Sequence, residues 1–187
     1  MRVIAGLCRG KKLKSPPGMT TRPTADRVKE SLFNIISNQI NFDGCIVLDI
    51  CAGTGSLGIE SLSRGASSCT FIEKDITVSQ ILKTNLICCK LDQKSKIMTM
   101  ESQTALKLLS KQGQHFDLVF FDPPYESGLY EHIAGLLDQL GLLTEHSLFI
   151  AECSSQNVLP SAFGQLVKTD RRVYGDTALE FFTLEAV

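Results

Sequence analysis

From Cys45 to Cys153 the chain repeats one rhythm, and few architectures accept it. Short apolar runs, "CIVLDI", "SCTFIE", "KIMTM", "FDLVFFD" and "SLFIAEC", alternate with longer amphipathic stretches, "SLGIESLSRG", "ITVSQILKTNLICCK", "SQTALKLLSKQG" and "LYEHIAGLLDQLG". The first set reads as strands buried on both faces and the second as helices. Strands and helices alternating at these lengths build right-handed βαβ units, and so a parallel sheet covered on both sides. The tail departs from the rhythm: "QLVKTDRRVYG" and "ALEFFTLEAV" read as two strands joined around "YGDT", an antiparallel hairpin that finishes the sheet.

Ahead of the rhythm, "TADRVKESLFNIISNQI" sets Val28, Leu32, Ile35, Ile36 and Ile40 on one helical stripe, with Thr24 as its N-cap. "RVIAGL" and "KKLK" around "CRG" read as a short hairpin that presents basic residues, and "SPPGMTTRP" reads as a loop. The expected division is a basic N-terminal extension over 1–23 and one globular domain over 24–187, with 43% hydrophobic residues to build its core.

Charge is unevenly spread. Residues 1–30 carry eight basic side chains against two acidic ones, and the rest carries eleven against eighteen. A basic end on an acidic body points to a polyanionic partner met through that end. No apolar run approaches the ~20 residues of a membrane span. The start "MRVIAGLCRGKKLK" places its apolar stretch before its charges, the wrong order for a secretion signal, so a cytoplasmic protein is expected. The seven cysteines are scattered without a CxxC pair, and several lie inside apolar runs as small hydrophobes. Neither they nor His115, His132 and His146 have metal-ligand spacing.

The strand "CIVLDI" runs into "CAGTGSLG", where Gly53, Gly55 and Gly58 fit G-x-G-x-x-G before a helix. Glu73 follows about twenty residues on, at the end of the next strand, placed to accept hydrogen bonds from ribose hydroxyls. That pattern serves NAD or S-adenosylmethionine equally well. Asp49 separates them. A carboxylate four residues before the first glycine would crowd a pyrophosphate, whereas a ligand carrying a sulfonium and an ammonium gains from it. The plainer role for Asp49 is to cap the loop or pair with a nearby lysine or arginine. S-adenosylmethionine is the expected cofactor, leaving S-adenosylhomocysteine as product.

In open α/β sheets, ligands bind at the carboxyl ends of the strands, and "FDLVFF" delivers "DPPY" there. An exocyclic amine on a nucleobase is a poor nucleophile because the ring draws in its lone pair. The Asp122 carboxylate and a backbone carbonyl held by Pro123 and Pro124 can accept from the amine's protons and orient it. Tyr125 can stack on the base, a contact worth ~1–3 kcal/mol. Methyl transfer is an in-line displacement that needs alignment rather than a metal or covalent nucleophile.

Taken together, "RVIAGLCRGKKL", "RPTADRVKESLFNII", "LDICAGTGSLGIESLSRGA", "FIEKD", "DLVFFDPPY" and "YGDTALEFFTLE" resemble the RsmD family of bacterial 16S rRNA guanine-N2 methyltransferases over essentially the full length. The resemblance implies a Rossmann-like, seven-stranded, mainly parallel methyltransferase sheet with an N-terminal β-hairpin extension. It implies methylation of one guanine of 16S rRNA in an assembled or partly assembled small ribosomal subunit, by a monomer. By motif position, Asp49, Ala52, Gly53 and Gly55 hold the methionine end of the cofactor, Glu73 its ribose and Thr104 its adenine. Asp122, Pro123, Pro124 and Tyr125 form the catalytic face, with Asp122 also at the cofactor. Arg9, Lys11, Lys12, Arg22 and Arg27 contact RNA. The rival assignments are a DNA adenine-N6 methyltransferase, for which little chain is left to read DNA, a NAD-dependent oxidoreductase, which leaves Asp49 and "DPPY" unused, and a catalytically silent RNA-binding protein.

Overall fold

The alternating runs become a single sheet. A computed structural model describes residues 1–16, 23–123 and 129–185, the side chains of residues 23–25 apart. The elements are α1 (Pro23–Ser37), β1 (Ile46–Ile50), α2 (Ser56–Ser63), β2 (Ser68–Ile72), α3 (Ile76–Cys89), β3 (Ser95–Met98), α4 (Ser102–Lys111), β4 (Phe116–Phe121), α5 (Leu129–Gln139), β5 (Leu143–Ser154), β6 (Ala162–Phe163), β7 (Leu166–Tyr174) and β8 (Thr177–Leu184). Their spatial order is β3-β2-β1-β4-β5-β8-β7-β6. The first five are parallel. The expected hairpin closes the sheet with β8 inserted antiparallel between β5 and β7. Strand order reverses beside β1, so the crevice for a ligand opens at the carboxyl ends of β1 and β4.

Burial on both faces explains the near-continuous apolar runs. Leu48, Ile50, Val119 and Phe121 pack on one side with Leu106 and Leu109 of α4 and Ile133 and Leu137 of α5. Val47, Leu118, Phe120 and Ile150 pack on the other with Phe33, Ile59 and Leu82 of α1, α2 and α3. Asp49 alternates in step with Val47, so it belongs to this second face. Five of the seven cysteines are buried, as their apolar neighbours suggested.

Three details differ from expectation. The sheet has eight strands rather than seven, because Ala162–Phe163 adds a two-residue edge strand too short to leave a periodic signal. Helix α1 starts at Pro23, so Thr24 lies inside its first turn rather than capping it. Proline suits that turn because its missing N–H has no helical partner there. The N-terminal hairpin is a tight antiparallel loop with one bridge, Arg2 to Lys12. It is docked rather than free. Ile4 and Ala5 N–H donate to the fully buried Glu60 carboxylate at 2.7 and 3.0 Å, and Cys8 N–H to Ser63 Oγ at 2.9 Å. Lys29, read from sequence as part of a basic face, is buried. Its ammonium bonds Arg2 O at 2.6 Å and Ser56 Oγ at 3.1 Å and pairs with Glu60 at 3.6 Å.

Candidate active site

Strand β1 ends in a backbone that doubles back sharply. Cys51 has φ +59° and Gly55 φ +84°, and Gly55 N–H closes a turn on Ala52 O at 2.8 Å just before α2. Ala52 N–H reaches across to Ile72 O at 2.9 Å, tying the loop to β2. A Cβ on Gly55 would stand 2.3 Å from Leu82 Cδ1, whereas one on Gly53 would meet nothing within 4 Å. Gly55 is therefore demanded by packing, and Gly53 presents an open side that a ligand can approach closely.

Both acidic residues read from the motif organise this loop. Gly58 N–H donates to Asp49 Oδ2 at 2.9 Å, so Asp49 does hold the start of α2, the plainer role open to it. Gly53 N–H and Asp75 N–H donate to the two oxygens of Glu73, each at 2.9 Å. Asp49 is 2% exposed. Burial pushes its carboxyl up to about 8, with the charges of Asp122 and Glu73 adding and the Gly58 bond opposing.

Strand β4 brings Asp122 to the same place. Asp49 registers with Phe120 on the neighbouring strand, so Asp122 lies two positions further along, on the same pleat face. Its side chain is open to solvent at the mouth, yet protein crowds it closely enough that lost hydration lifts its carboxyl to about 6. Pro123 beside it is buried. Pro124 and Tyr125 lie outside the described residues.

The sequence reading passed over Glu152. In β5, Phe120 registers with Ile150 and Phe121 with Ala151, so the next position sets Glu152 against Asp122. Burial first, then the Asp122 charge, push its carboxyl up to about 8. The signal was present in "FIAEC": a lone carboxylate ending a buried run, as in "VLDI" and "FFDP". Across the edge, Glu73, Asp49, Asp122 and Glu152 come from β2, β1, β4 and β5. Among the described residues, no Lys or Arg pairs with Asp49, Asp122 or Glu152. This donor set fits S-adenosylmethionine, whose sulfonium and ammonium offer positive charge to carboxylates that lack it. A pyrophosphate would meet only repulsion.

The remaining predicted residues fall elsewhere. Thr104 is exposed on α4. It is Ser102 that reaches the glycine loop, its Oγ 3.8 Å from Cys51 Sγ. Arg9, Lys12 and Arg27 are exposed, and Arg22 lies outside the described residues. Lys11 donates to Cys88 O at 2.5 Å, at the carboxyl end of α3, away from the crevice. Lys14 is nearer: Asn85 accepts its N–H at 2.8 Å and donates both to its carbonyl and to Thr54 O in the glycine loop. A shallow hollow of about 410 Å³ at the far end of α1, lined by Ser37, Gln39 and Arg64 among others, holds none of these carboxylates.

Comparison with known proteins follows the same lines. The family described as conserved hypothetical protein 95 matches residues 1–183. Ribosomal RNA small subunit methyltransferase D of Escherichia coli (strain K12) is 37% identical over 186 residues, covering 100% of this chain and 91% of its own. The solved structure of the yhhF protein of Escherichia coli superposes with a TM-score of 0.84 at 32% identity, covering 100% of this chain and 99% of its own. A crystal structure of SMU.776 complexed with SAH shares the fold at a TM-score of 0.68 and 15% identity, over 88% of this chain and 50% of its own.

Proposed function

The chain belongs to the ribosomal RNA small subunit methyltransferase D family, and from that premise we propose that it transfers a methyl group from S-adenosylmethionine to the exocyclic N2 amine of one guanine in 16S rRNA. The observation that carries this reading is the glycine loop and Asp122 meeting on one face of the sheet, at the carboxyl ends of adjacent strands. S-adenosylmethionine supplies an electrophilic methyl carbon on a cationic sulfur.

The loop at Ala52, Gly53 and Gly55, ordered by Asp49, holds the methionine end. Glu73 has lone pairs beyond its two loop bonds with which to accept from the ribose hydroxyls. The adenine falls against the segment around Ser102, with the exposed Thr104 at its margin. The Asp122 carboxylate accepts a hydrogen bond from the target amine and orients the nitrogen toward the methyl carbon, with reacting atoms about 3–3.5 Å apart. As the new carbon–nitrogen bond forms, the carbon–sulfur bond breaks and sulfur keeps its electron pair. The nitrogen gains positive charge, so an ionised Asp122 stabilises the transition state more than the ground state. The proton leaves through Asp122, which is open to water. Pro123 and Pro124 stiffen the turn and Tyr125 stacks on the base, which must be unpaired or flipped out.

Residues 1–23 form the RNA-facing extension, with Arg9, Lys11, Lys12, Arg22 and Arg27 meeting phosphates. The substrate is an assembled or partly assembled small subunit in the cytoplasm. The working unit in this reading is a monomer. Among the described residues, no helix is long and apolar enough to cross a membrane.

Tritium transfer from labelled S-adenosylmethionine into small subunits, naked rRNA and duplex DNA tests the substrate. Label should enter small subunits; preferential labelling of DNA would overturn the reading.

A further inference from the structure

The crevice holds one carboxylate more than cofactor binding and amine orientation require. Glu152 lies one strand beyond Asp122, on the side away from the glycine loop, because β4 separates β5 from β1. A neighbouring strand is about 4.8 Å away, a base-edge distance rather than a sheet-wide one. It shares the pleat face of Asp122 and Asp49. The backbone beneath it is fixed: the buried Tyr130, packed edge-on against Phe121 at 5.6 Å, donates its hydroxyl to Glu152 O at 3.0 Å. Among the described residues, no donor bonds the Glu152 carboxylate or that of Asp122. A base that displaces water from these carboxylates must bring donors of its own.

Resting on the guanine reading above, we propose that Glu152 identifies the target base: its carboxylate accepts from N1–H and one N2–H of guanine, while Asp122 accepts from the other N2–H. The cofactor occupies the β2 and β1 side of Asp122 and the base occupies the β5 side. The three hydrogens along the Watson–Crick edge of guanine match two adjacent carboxylates. Adenine presents an N1 lone pair at the same point, which a carboxylate repels. The guanine N–H groups and the cationic cofactor favour the ionised form of Glu152, and in that form it selects guanine while Asp122 activates the amine that selection delivers.

The test uses Glu152→Gln, which keeps shape and removes charge. Its substrates are small subunits bearing either guanine or 2,6-diaminopurine at the nucleotide mapped with the wild-type enzyme. Diaminopurine keeps the N2 amine but carries an N1 acceptor, to which a glutamine amide can donate. Calorimetric S-adenosylmethionine affinity should change less than about twofold, kcat/KM on guanine should fall about 10- to 100-fold, and the preference for guanine over diaminopurine should narrow by about tenfold or more. Unchanged kcat/KM on guanine, or an unchanged ratio between the two bases, would overturn the proposal. Loss of cofactor binding would also overturn it, by assigning Glu152 to the cofactor. Failure of the wild-type enzyme to form N2-methylguanosine would instead bring down the underlying reading, and the proposal with it.

Discussion

The proposed transfer needs Asp122 ionised, yet burial opposes its charge, and that charge in turn raises the carboxyls of its neighbours Glu152 and Asp49. Replacing it tests its role directly. Asp122→Ala should retain S-adenosylmethionine binding by calorimetry while lowering kcat by about 10²–10³-fold; undiminished turnover would remove the carboxylate from the mechanism. The same crowding fixes a pH dependence. Asp49 is lifted from 3.8 to about 8, Asp122 from 3.8 to about 6 and Glu152 from 4.5 to about 8. Raised carboxyls hold protons that the unfolded chain releases. Their contribution to stability is therefore complete below about pH 4 and lost as pH rises through about 6 and then about 8. A cationic cofactor favours the ionised forms, so its affinity should rise between about pH 6 and pH 8, by up to about tenfold per unit for one coupled proton. Calorimetry across that range checks it, and affinity that falls with pH would contradict it. Asp49 and Asp122 were legible because glycines or prolines close by marked loops with a purpose, and Glu73 because it follows the glycine motif at about twenty residues. Glu152 has the same strand-end position but no such punctuation, and only the β4–β5 register reveals its neighbour.

The glycine loop is held from three sides: by Asp49 of β1, which accepts from Gly58 N–H of α2, by Glu73 just past β2 and by Asn85 from α3. Its tightest point is Gly55, where positive φ and contact with Leu82 coincide. Gly55→Ala should destabilise the protein by about 1–3 kcal/mol in denaturant unfolding and weaken S-adenosylmethionine binding measured alongside. A variant with unchanged stability and affinity would show that the loop tolerates a side chain. The strands and helices of the sheet were readable because double-sided burial writes long apolar runs, and β6 was not because two residues write none. The docking of the N-terminal loop was also hidden. It depends on Glu60 and Lys29, charged residues that sequence patterning assigns to solvent and that the fold buries against each other.

That docking changes how the charge asymmetry acts. Residues 1–14 of the basic end form a surface docked on α2 and α3, and Lys29 and Arg2 are partly engaged by Glu60 and Asp26. Arg9 and Lys12 remain exposed. Replacing both with alanine should weaken small-subunit binding and flatten its salt dependence by roughly 0.7–0.9 in log–log slope for each phosphate no longer neutralised, with cofactor affinity unchanged. An unaltered slope would move the RNA-binding surface elsewhere. The proposed activity comes down to one chemical event, a methyl group arriving on guanine N2 beside Asp122. Nucleoside mass spectrometry of 16S rRNA, from small subunits incubated with the purified protein and labelled S-adenosylmethionine, reads that event directly. Labelled N2-methylguanosine is the predicted product; labelled N6-methyladenosine, or rRNA without label, would contradict it.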